Sequence, residues 1–350
     1  MPVSLKDVQD ALADLLAPEQ VSDARVSGDK VIVTVAADIP MHEKPGFANK
    51  VKERLTAMEG IGTVLVHYAA PAQPQQPQQP EGPRPLENVK NIIAVGAGKG
   101  GVGKSTVSVN LAVSLARAGH KVGLMDADIY GPSVAIMTGT QKHKAQGDDQ
   151  QRVVPPECHG IKIVSMAFLI PEEKSAVVWR GPMVGKMVTQ LLTGVAWGEL
   201  DYLIVDLPPG TGDAVLSLTQ AVPLTSAIVV TTPQDVALID VMKAIEMFRT
   251  VKVPVAGIVE NMAGFTCPHC NETSDIFRSG AGQTAADKFD IPVLGRLPLD
   301  PAIPPGGDSG TPISIAAPES ATAKTFETIA ATIADSLGGE GQKPIDIAWK

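Results

Sequence analysis

The 350 residues are 44% hydrophobic but only 4% aromatic, so Val, Ile, Leu and Ala must build the core. A formal charge of −9 and a pI near 5.2 argue against a nucleic-acid partner, since a phosphate-backbone binder needs a basic face. No apolar run approaches the roughly 20 residues of a membrane span, so no membrane partner is expected. Three cysteines, Cys158, Cys267 and Cys270, are too sparse for a disulfide framework and point to a reducing cytoplasmic setting.

In chain order, MPVSLKDVQDALADLL reads as an amphipathic helix rather than a signal peptide, with helical spacing over Leu5–Leu16. Lys30–Ala36 is β-rich, and Arg25–Val26 is its candidate hairpin partner through Ser27-Gly28-Asp29. Gly46–Met58 predicts a second helix and Thr63–Tyr68 a strand. Together 1–70 predict a small α+β domain. The tract PAQPQQPQQPEGPRP at Pro71–Pro85 cannot form a core and predicts an exposed linker over 71–88.

Over 89–350, strands and helices alternate. Strands are expected at Asn91–Gly96, Lys121–Asp126, Leu200–Asp206, Ser226–Thr231 and Pro254–Val259. Helices are expected at Lys104–Ala118, Gly212–Ala221, Ala237–Thr250 and Ala317–Leu337. Apolar strands separated by helices imply an α/β fold, a mostly parallel sheet covered on both faces. Ligands on such a sheet sit at the carboxyl ends of its strands.

That edge carries a phosphate cradle. Gly98-x4-Gly103-Lys104-Ser105 fits the Walker A pattern of a P-loop NTPase, between the apolar strand NIIAVG and the helix VSVNLAVSLARAG. The candidate nucleotide-binding residues are Gly98, Lys99, Gly100, Gly101, Val102, Gly103, Lys104, Ser105 and Thr106. Glycines 98, 100, 101 and 103 are expected to free the backbone so that its N–H groups converge on phosphate oxygens, at the positive end of the following helix. Lys104 would reach the β- and γ-phosphates, and Ser105 would ligate Mg²⁺. Little packing is expected of Lys104, so Lys104→Ala should keep the fold.

LIVDLPPGTG ends an apolar strand at Asp206, the Walker B position, where a carboxylate holds Mg²⁺. The Pro-Pro-Gly-Thr-Gly loop after it could sense the γ-phosphate. Asp128 is the candidate for positioning the attacking water, with Asp126 as support. Lys99 is either a solvated loop lysine or a second phosphate contact.

Cys267-Pro268-His269-Cys270 offers two thiols at chelating spacing. A redox dithiol and a zinc site completed by Cys158-His159 are open readings. A two-fold dimer is another: it would gather four thiolates, which suit a 4Fe–4S cluster. Cys158, without a sequence partner, reads as structural.

Together these motifs resemble the Mrp family of iron–sulfur cluster carrier ATPases, within the wider group of Min- and Par-type ATPases and the nitrogenase iron protein. The resemblance is carried by GKGGVGKST, MDADIYGPS at Met125–Ser133, WRGPMV at Trp179–Val184 and LDYLIVDLPPGTGD at Leu200–Asp213. It extends through TTPQ at Thr231–Gln234, ENMAGFTCPHC at Glu260–Cys270 and GRLPLDP at Gly295–Pro301. It implies a homodimeric cytoplasmic ATPase that binds a 4Fe–4S cluster through Cys267 and Cys270 and passes it to apo iron–sulfur proteins. In the same match Lys99 is the signature lysine, Asp128 the hydrolytic aspartate and Asn261 an adenine contact. The front segment resembles the small domain often fused to such proteins, with Ala17-Pro18-Glu19 where members carry Asp-Pro-Glu. The competing function is a positioning or partition ATPase switch without a cluster.

Overall fold

The computed structural model describes residues 5–16, 21–27, 30–35, 44–58, 61–68, 86, 88–128, 131–168, 181–212, 215–216, 219, 222–267, 269–270 and 272–337. The chain divides into two compact units, Met1–Glu81 and Gly82–Lys350, with the division inside the Pro/Gln tract. That whole tract, Ala17-Pro18-Glu19, Trp179 and the C-terminal tail lie outside the described residues.

In the first unit, helix α1 (Leu5–Ala11) precedes strands β1 (Val21–Ser27) and β2 (Lys30–Val35), then helix α2 (Lys44–Thr56) and strand β3 (Thr63–Tyr68). β1 and β2 pair antiparallel, closing at Ser27 opposite Lys30, whereas β2 and β3 run parallel. Regular helix ends at Ala11, earlier than the expected Leu16, but turns continue the path so that Val8, Leu12 and Leu16 are all buried. β1 is longer than its expected core of Arg25–Val26. Its polar VSDARVS lacks apolar alternation, and pairing with β2 supplies what propensity does not.

The second unit is built on an eight-stranded sheet. Its strands are β4 (Val89–Gly96), β5 (Val122–Asp126), β6 (Glu157–Cys158), β7 (Ile161–Ser165), β8 (Leu200–Asp206), β9 (Ser226–Thr231), β10 (Val255–Glu260) and β11 (Val293–Arg296). The order across the sheet is β11-β10-β9-β4-β8-β5-β7-β6, parallel except for the short edge strand β6. Helices α3 (Lys104–Arg117), α4 (Val134–Met137), α5 (Gly181–Thr193), α6 (Asp235–Thr250), α7 (Ala281–Phe289), α8 (Ile303–Asp308), α9 (Ile313–Ala316) and α10 (Ala321–Leu337) complete it.

Alternation along each strand splits the core in two, because successive side chains leave opposite faces. Ile92 and Ala94 of β4, Leu203 and Val205 of β8, and Val229 of β9 join a cluster that includes Phe248. Ile93 and Val95, Ile204, and Ile228 and Val230 join the other, with Leu111 and Phe326. Both faces are thus covered, as parallel strands require.

The last helix begins at Ala321 rather than the expected Ala317. Pro318 disfavours helical backbone in the residue before it, and Ala317 sits at φ −143°, ψ 69°. Ser320 then accepts the Ala323 N–H at 3.1 Å and starts α10. Of the expected helix Gly212–Ala221, the described part is helical at 215, 216 and 219, with Leu216 N–H bonded to the Gly212 carbonyl. Strands β7 and β11 and helices α5 and α7 were not legible as elements in the sequence.

Phe248 is fully buried, and its ring fills the space where a Cβ on Gly96 would lie 2.9 Å from its edge. Phe248→Ala is therefore expected to destabilise the second unit by about 3–5 kcal/mol. Urea denaturation followed by circular dichroism checks this, and a loss below about 1 kcal/mol would mean the site collapses around the truncation.

Candidate functional site

β4 delivers the chain to the loop, and α3 leaves it. Two glycines, Gly101 at φ 78° and Gly103 at φ 84°, hold the left-handed backbone that lets the loop curl. Gly98 and Gly100 do not, which corrects the expectation that all four serve conformational freedom. Gly98 is needed for a different reason: a Cβ there would collide with the backbone of Asp240 in α6. At Gly100 the nearest atom to such a Cβ is 3.9 Å away, an ordinary contact. Gly103 meets both demands, since a Cβ would strike the Asn261 side-chain nitrogen.

β5 and β8 pair in register, with Asp126 directly opposite Asp206 at the strand ends. Both carboxyls are fully buried. Asp206 is surrounded by donors: Lys104 Nζ lies 2.8 Å from Oδ2, Ser105 Oγ donates to Oδ2 at 2.6 Å, and Ser108 Oγ donates to Oδ1 at 2.6 Å. Lys104 also lies 3.2 Å from Ser105 Oγ and is 7% exposed. This overturns the expectation that Lys104 carries little packing, for the sequence pattern could not show that its stem turns inward onto a buried carboxylate.

Asp126 receives the N–H groups of Asp128 at 3.1 Å and Val134 at 3.2 Å and the Ser165 hydroxyl at 3.1 Å. Burial above all, then the charge of Asp206, pushes its carboxyl up to about 7, against the pull of those N–H groups and of Lys104. Asp126 is thereby a support: its hydrogen bonds fix the backbone that presents Asp128. Asp128 itself is partly exposed and accepts the Gly131 N–H at 3.2 Å.

A polar cavity of about 300 Å³ opens over the loop, and Lys99, Lys104, Ser105, Thr106, Asp128 and Pro209 are among its walls. Lys99 Nζ lies 3.5 Å from Gln234 Oε1 at the head of α6. Gly210, at φ 94°, donates its N–H to the Ala97 carbonyl, so the Pro-Pro-Gly turn is tied to the start of the loop. A second cavity of about 410 Å³ is more apolar and is walled by Met137, Asn261, Met262, Pro298, Leu299 and Ile303 among others. The two share Gly103, Thr106, Ser133 and Met137, so a polar and an apolar space adjoin. Asn261 lines the apolar one, its side-chain amide donating to the Val102 carbonyl at 2.8 Å.

The donor set fits magnesium chemistry: a hydroxyl and a carboxylate are hard oxygen ligands, here 2.6 Å apart beside a glycine cradle. The sequence had not singled out Ser108, Ser165 or the Pro298–Leu299 wall. Ser108 was findable, lying three residues beyond Ser105 on one helical face; the wall was visible only as the run GRLPLDP, to which no role attached.

Cys267 and Cys270 occupy a tight turn. Phe265–Thr266 pairs with Thr273–Ser274, and the Cys267 N–H donates to the Glu272 carbonyl at 2.9 Å. The N–H groups of His269 and Cys270, then the Cys270 thiol, draw the Cys267 thiol below its ordinary value. Cys158 lies elsewhere, on β6 at the far edge of the sheet, its thiol donating to the Thr138 carbonyl at 3.2 Å. β6 and β10 are six strand spacings apart, on the order of 29 Å. Among the described residues, no three His, Cys, Asp or Glu side chains gather to hold a metal. A zinc site joining both cysteine segments therefore lacks support.

Residues 88–334 match the ParA family model described as NUBPL iron-transfer P-loop NTPase. A Deinococcus radiodurans protein named iron-sulfur cluster carrier protein is 45% identical over 325 residues, covering 93% of this chain and 90% of that one. A Synechocystis protein of the same name is 44% identical over 341 residues, covering 96% and 95%. Among solved structures, a nucleotide-binding protein of Archaeoglobus fulgidus in complex with ADP aligns with TM-score 0.58 at 41% identity, over 64% of this chain and 88% of that chain.

The raised Asp126 carboxyl has a thermodynamic consequence. Titrating near 7 when folded against 3.8 when unfolded, it holds more proton in the native state between those values. Its contribution is full below about pH 4 and is lost as pH rises towards 7. Urea denaturation across that range should show wild-type stability falling more steeply with pH than that of Asp126→Asn. Parallel curves would mean that Asp126 is ionised throughout.

Proposed function

This chain belongs to the ParA/NUBPL family of iron-transfer P-loop NTPases, and from that premise we propose that it binds and hydrolyses ATP and carries a 4Fe–4S cluster to apo-proteins. The observation that carries this is a paired-thiol turn set six residues beyond Asn261, the side chain that holds the P-loop at Val102. One continuous segment thus touches the nucleotide loop at one end and bears the metal-binding thiols at the other.

The ATP triphosphate would lie in the polar cavity, met by the loop N–H groups, the Lys104 ammonium and the start of α3. Its base would enter the apolar cavity beside Asn261. Ser105 and Asp206 would hold Mg²⁺, which when bound supplies charge neutralisation and orients the phosphate oxygens. Asp128 would orient a water for in-line attack on the γ-phosphorus. A new P–O bond forms as the bond to the β–γ bridging oxygen breaks, and Asp128 takes up the water's proton, leaving ADP and phosphate. Lys99, at the cavity rim, would add a second positive charge against the phosphates.

The cluster is cargo. Each chain offers two thiols, and a homodimer gathers four around its axis, the number a 4Fe–4S cluster needs. A depressed Cys267 thiol favours the thiolate, which is the ligating form. A shared cluster at an exposed turn can leave for apo iron–sulfur proteins or arrive from cluster scaffolds. The setting is the cytoplasm, without a nucleic-acid or membrane partner; no described helix is long and apolar enough to cross a membrane.

Anaerobic reconstitution should yield about four iron and four sulfide per pair of chains, with a visible charge-transfer band. The double variant Cys267→Ala, Cys270→Ala should yield neither. A band that persists in that variant, or zinc instead of iron in protein purified without air, would remove the cargo from this account.

Lys104→Gln, one atom shorter and uncharged but still able to donate a hydrogen bond, should slow ATP hydrolysis at least about a hundredfold. Lys104→Ala should in addition lose about 1–3 kcal/mol of stability, because Asp206 keeps its burial and is left without any donor, charged or neutral, from that position. Normal hydrolysis by the Gln variant would refute the assigned phosphate site.

A further inference from the structure

Asp206 has two oxygens, and the Walker pattern accounts for the surroundings of only one. Oδ2 faces Lys104 and Ser105; Oδ1 is held by Ser108, one turn further along α3. The Ser108 side chain is completely buried. Its hydroxyl lies 2.6 Å from Asp206 Oδ1 and 3.1 Å from the Lys104 carbonyl. A hydroxyl has one hydrogen, and the shorter contact to a charged acceptor takes it.

We infer that Ser108 is a positioning residue, which locks the rotation of the Asp206 carboxylate so that Oδ2 points at Ser105 and at the metal that accompanies the nucleotide. A carboxylate turns easily about its last bond, where the energy profile is broad. Asp206 sits beside Asp126, which is of its own kind and already engaged by two N–H groups and Ser165. That neighbour cannot fix the rotation of Asp206, and Ser108 does so from the opposite oxygen. The arrangement follows the general rule that a ligating carboxylate is itself hydrogen-bonded, and that such outer partners set metal affinity. The loop's own residues grip phosphate with or without Ser108; what Ser108 governs is how well the site takes metal.

The inference rests on Asp206 being the magnesium ligand, and the experiment separates the two. Binding of a fluorescent ADP analogue to the full-length protein is measured in EDTA and across a Mg²⁺ titration, for wild type, Ser108→Ala, Ser108→Thr and Asp206→Asn. Alanine removes one oxygen and favours helix, so α3 is kept. In Ser108→Ala the Mg²⁺ midpoint should rise about 10–100-fold, well beyond any change in the EDTA affinity. Ser108→Thr, which restores the hydroxyl, should recover most of that loss.

A Mg²⁺ midpoint within about twofold of wild type in folded Ser108→Ala would overturn the inference, twofold being far below an outer-shell effect. So would a folded threonine variant as impaired as the alanine one. If Asp206→Asn also leaves the Mg²⁺ midpoint unmoved, the fault lies in the assignment of Asp206 itself. If Asp206→Asn shifts it and Ser108→Ala does not, Asp206 stands and Ser108 is only packing.

Discussion

Two carboxylates buried side by side set the terms for everything around them. Asp126 and Asp206 end adjacent parallel strands in register, with no solvent on either. Like charges so placed cannot both ionise without cost, so the surroundings must treat them differently. Asp206 has a lysine and two hydroxyls as its donors. Asp126 has backbone N–H groups and one hydroxyl, and its carboxyl is raised towards neutrality. The α3 start, with Lys104, Ser105 and Ser108 on one face, is the element that makes this asymmetry.

The crevice over the loop follows from the same strand ends. In an open α/β sheet the loops leaving the carboxyl ends of the strands wall such a crevice, and here they include the P-loop after β4, Asp128 after β5, Pro209 after β8 and Asn261 after β10. Glycine serves the loop in two physically distinct ways: turning the backbone at Gly101 and Gly103, and admitting α6 at Gly98. The cysteine turn grows from the same edge, so a change at the loop and a change at the thiols share one short stretch of chain. The stretch leading to it is tied to the segment after β11: Ala263 donates its N–H to the Leu297 carbonyl, and the N–H groups of Leu297 and Leu299 donate to the Glu260 and Gly264 carbonyls.

How much was legible depended on whether the signal was local. The P-loop was, because a glycine spacing followed by Lys-Ser between a strand and a helix is written in consecutive residues. So were the central strands, whose unbroken apolar runs state burial on both faces. β7, IKIVS, is too short for periodicity to speak, and it becomes a strand by pairing with β5. The polar β1 is a strand for the same reason.

The sequence alone determined the α/β class, the glycine loop with its Lys-Ser, the acids at two strand ends and the close spacing of Cys267 and Cys270, since each is a matter of residue type at short spacing. Tertiary structure decided which glycines turn and which merely make room. It also buried Lys104 against Asp206, recruited Ser108 to the second oxygen and sent Cys158 to the opposite edge of the sheet. Those outcomes depend on which strands become neighbours and in what register, and a distance through space has no counterpart in a spacing along the chain.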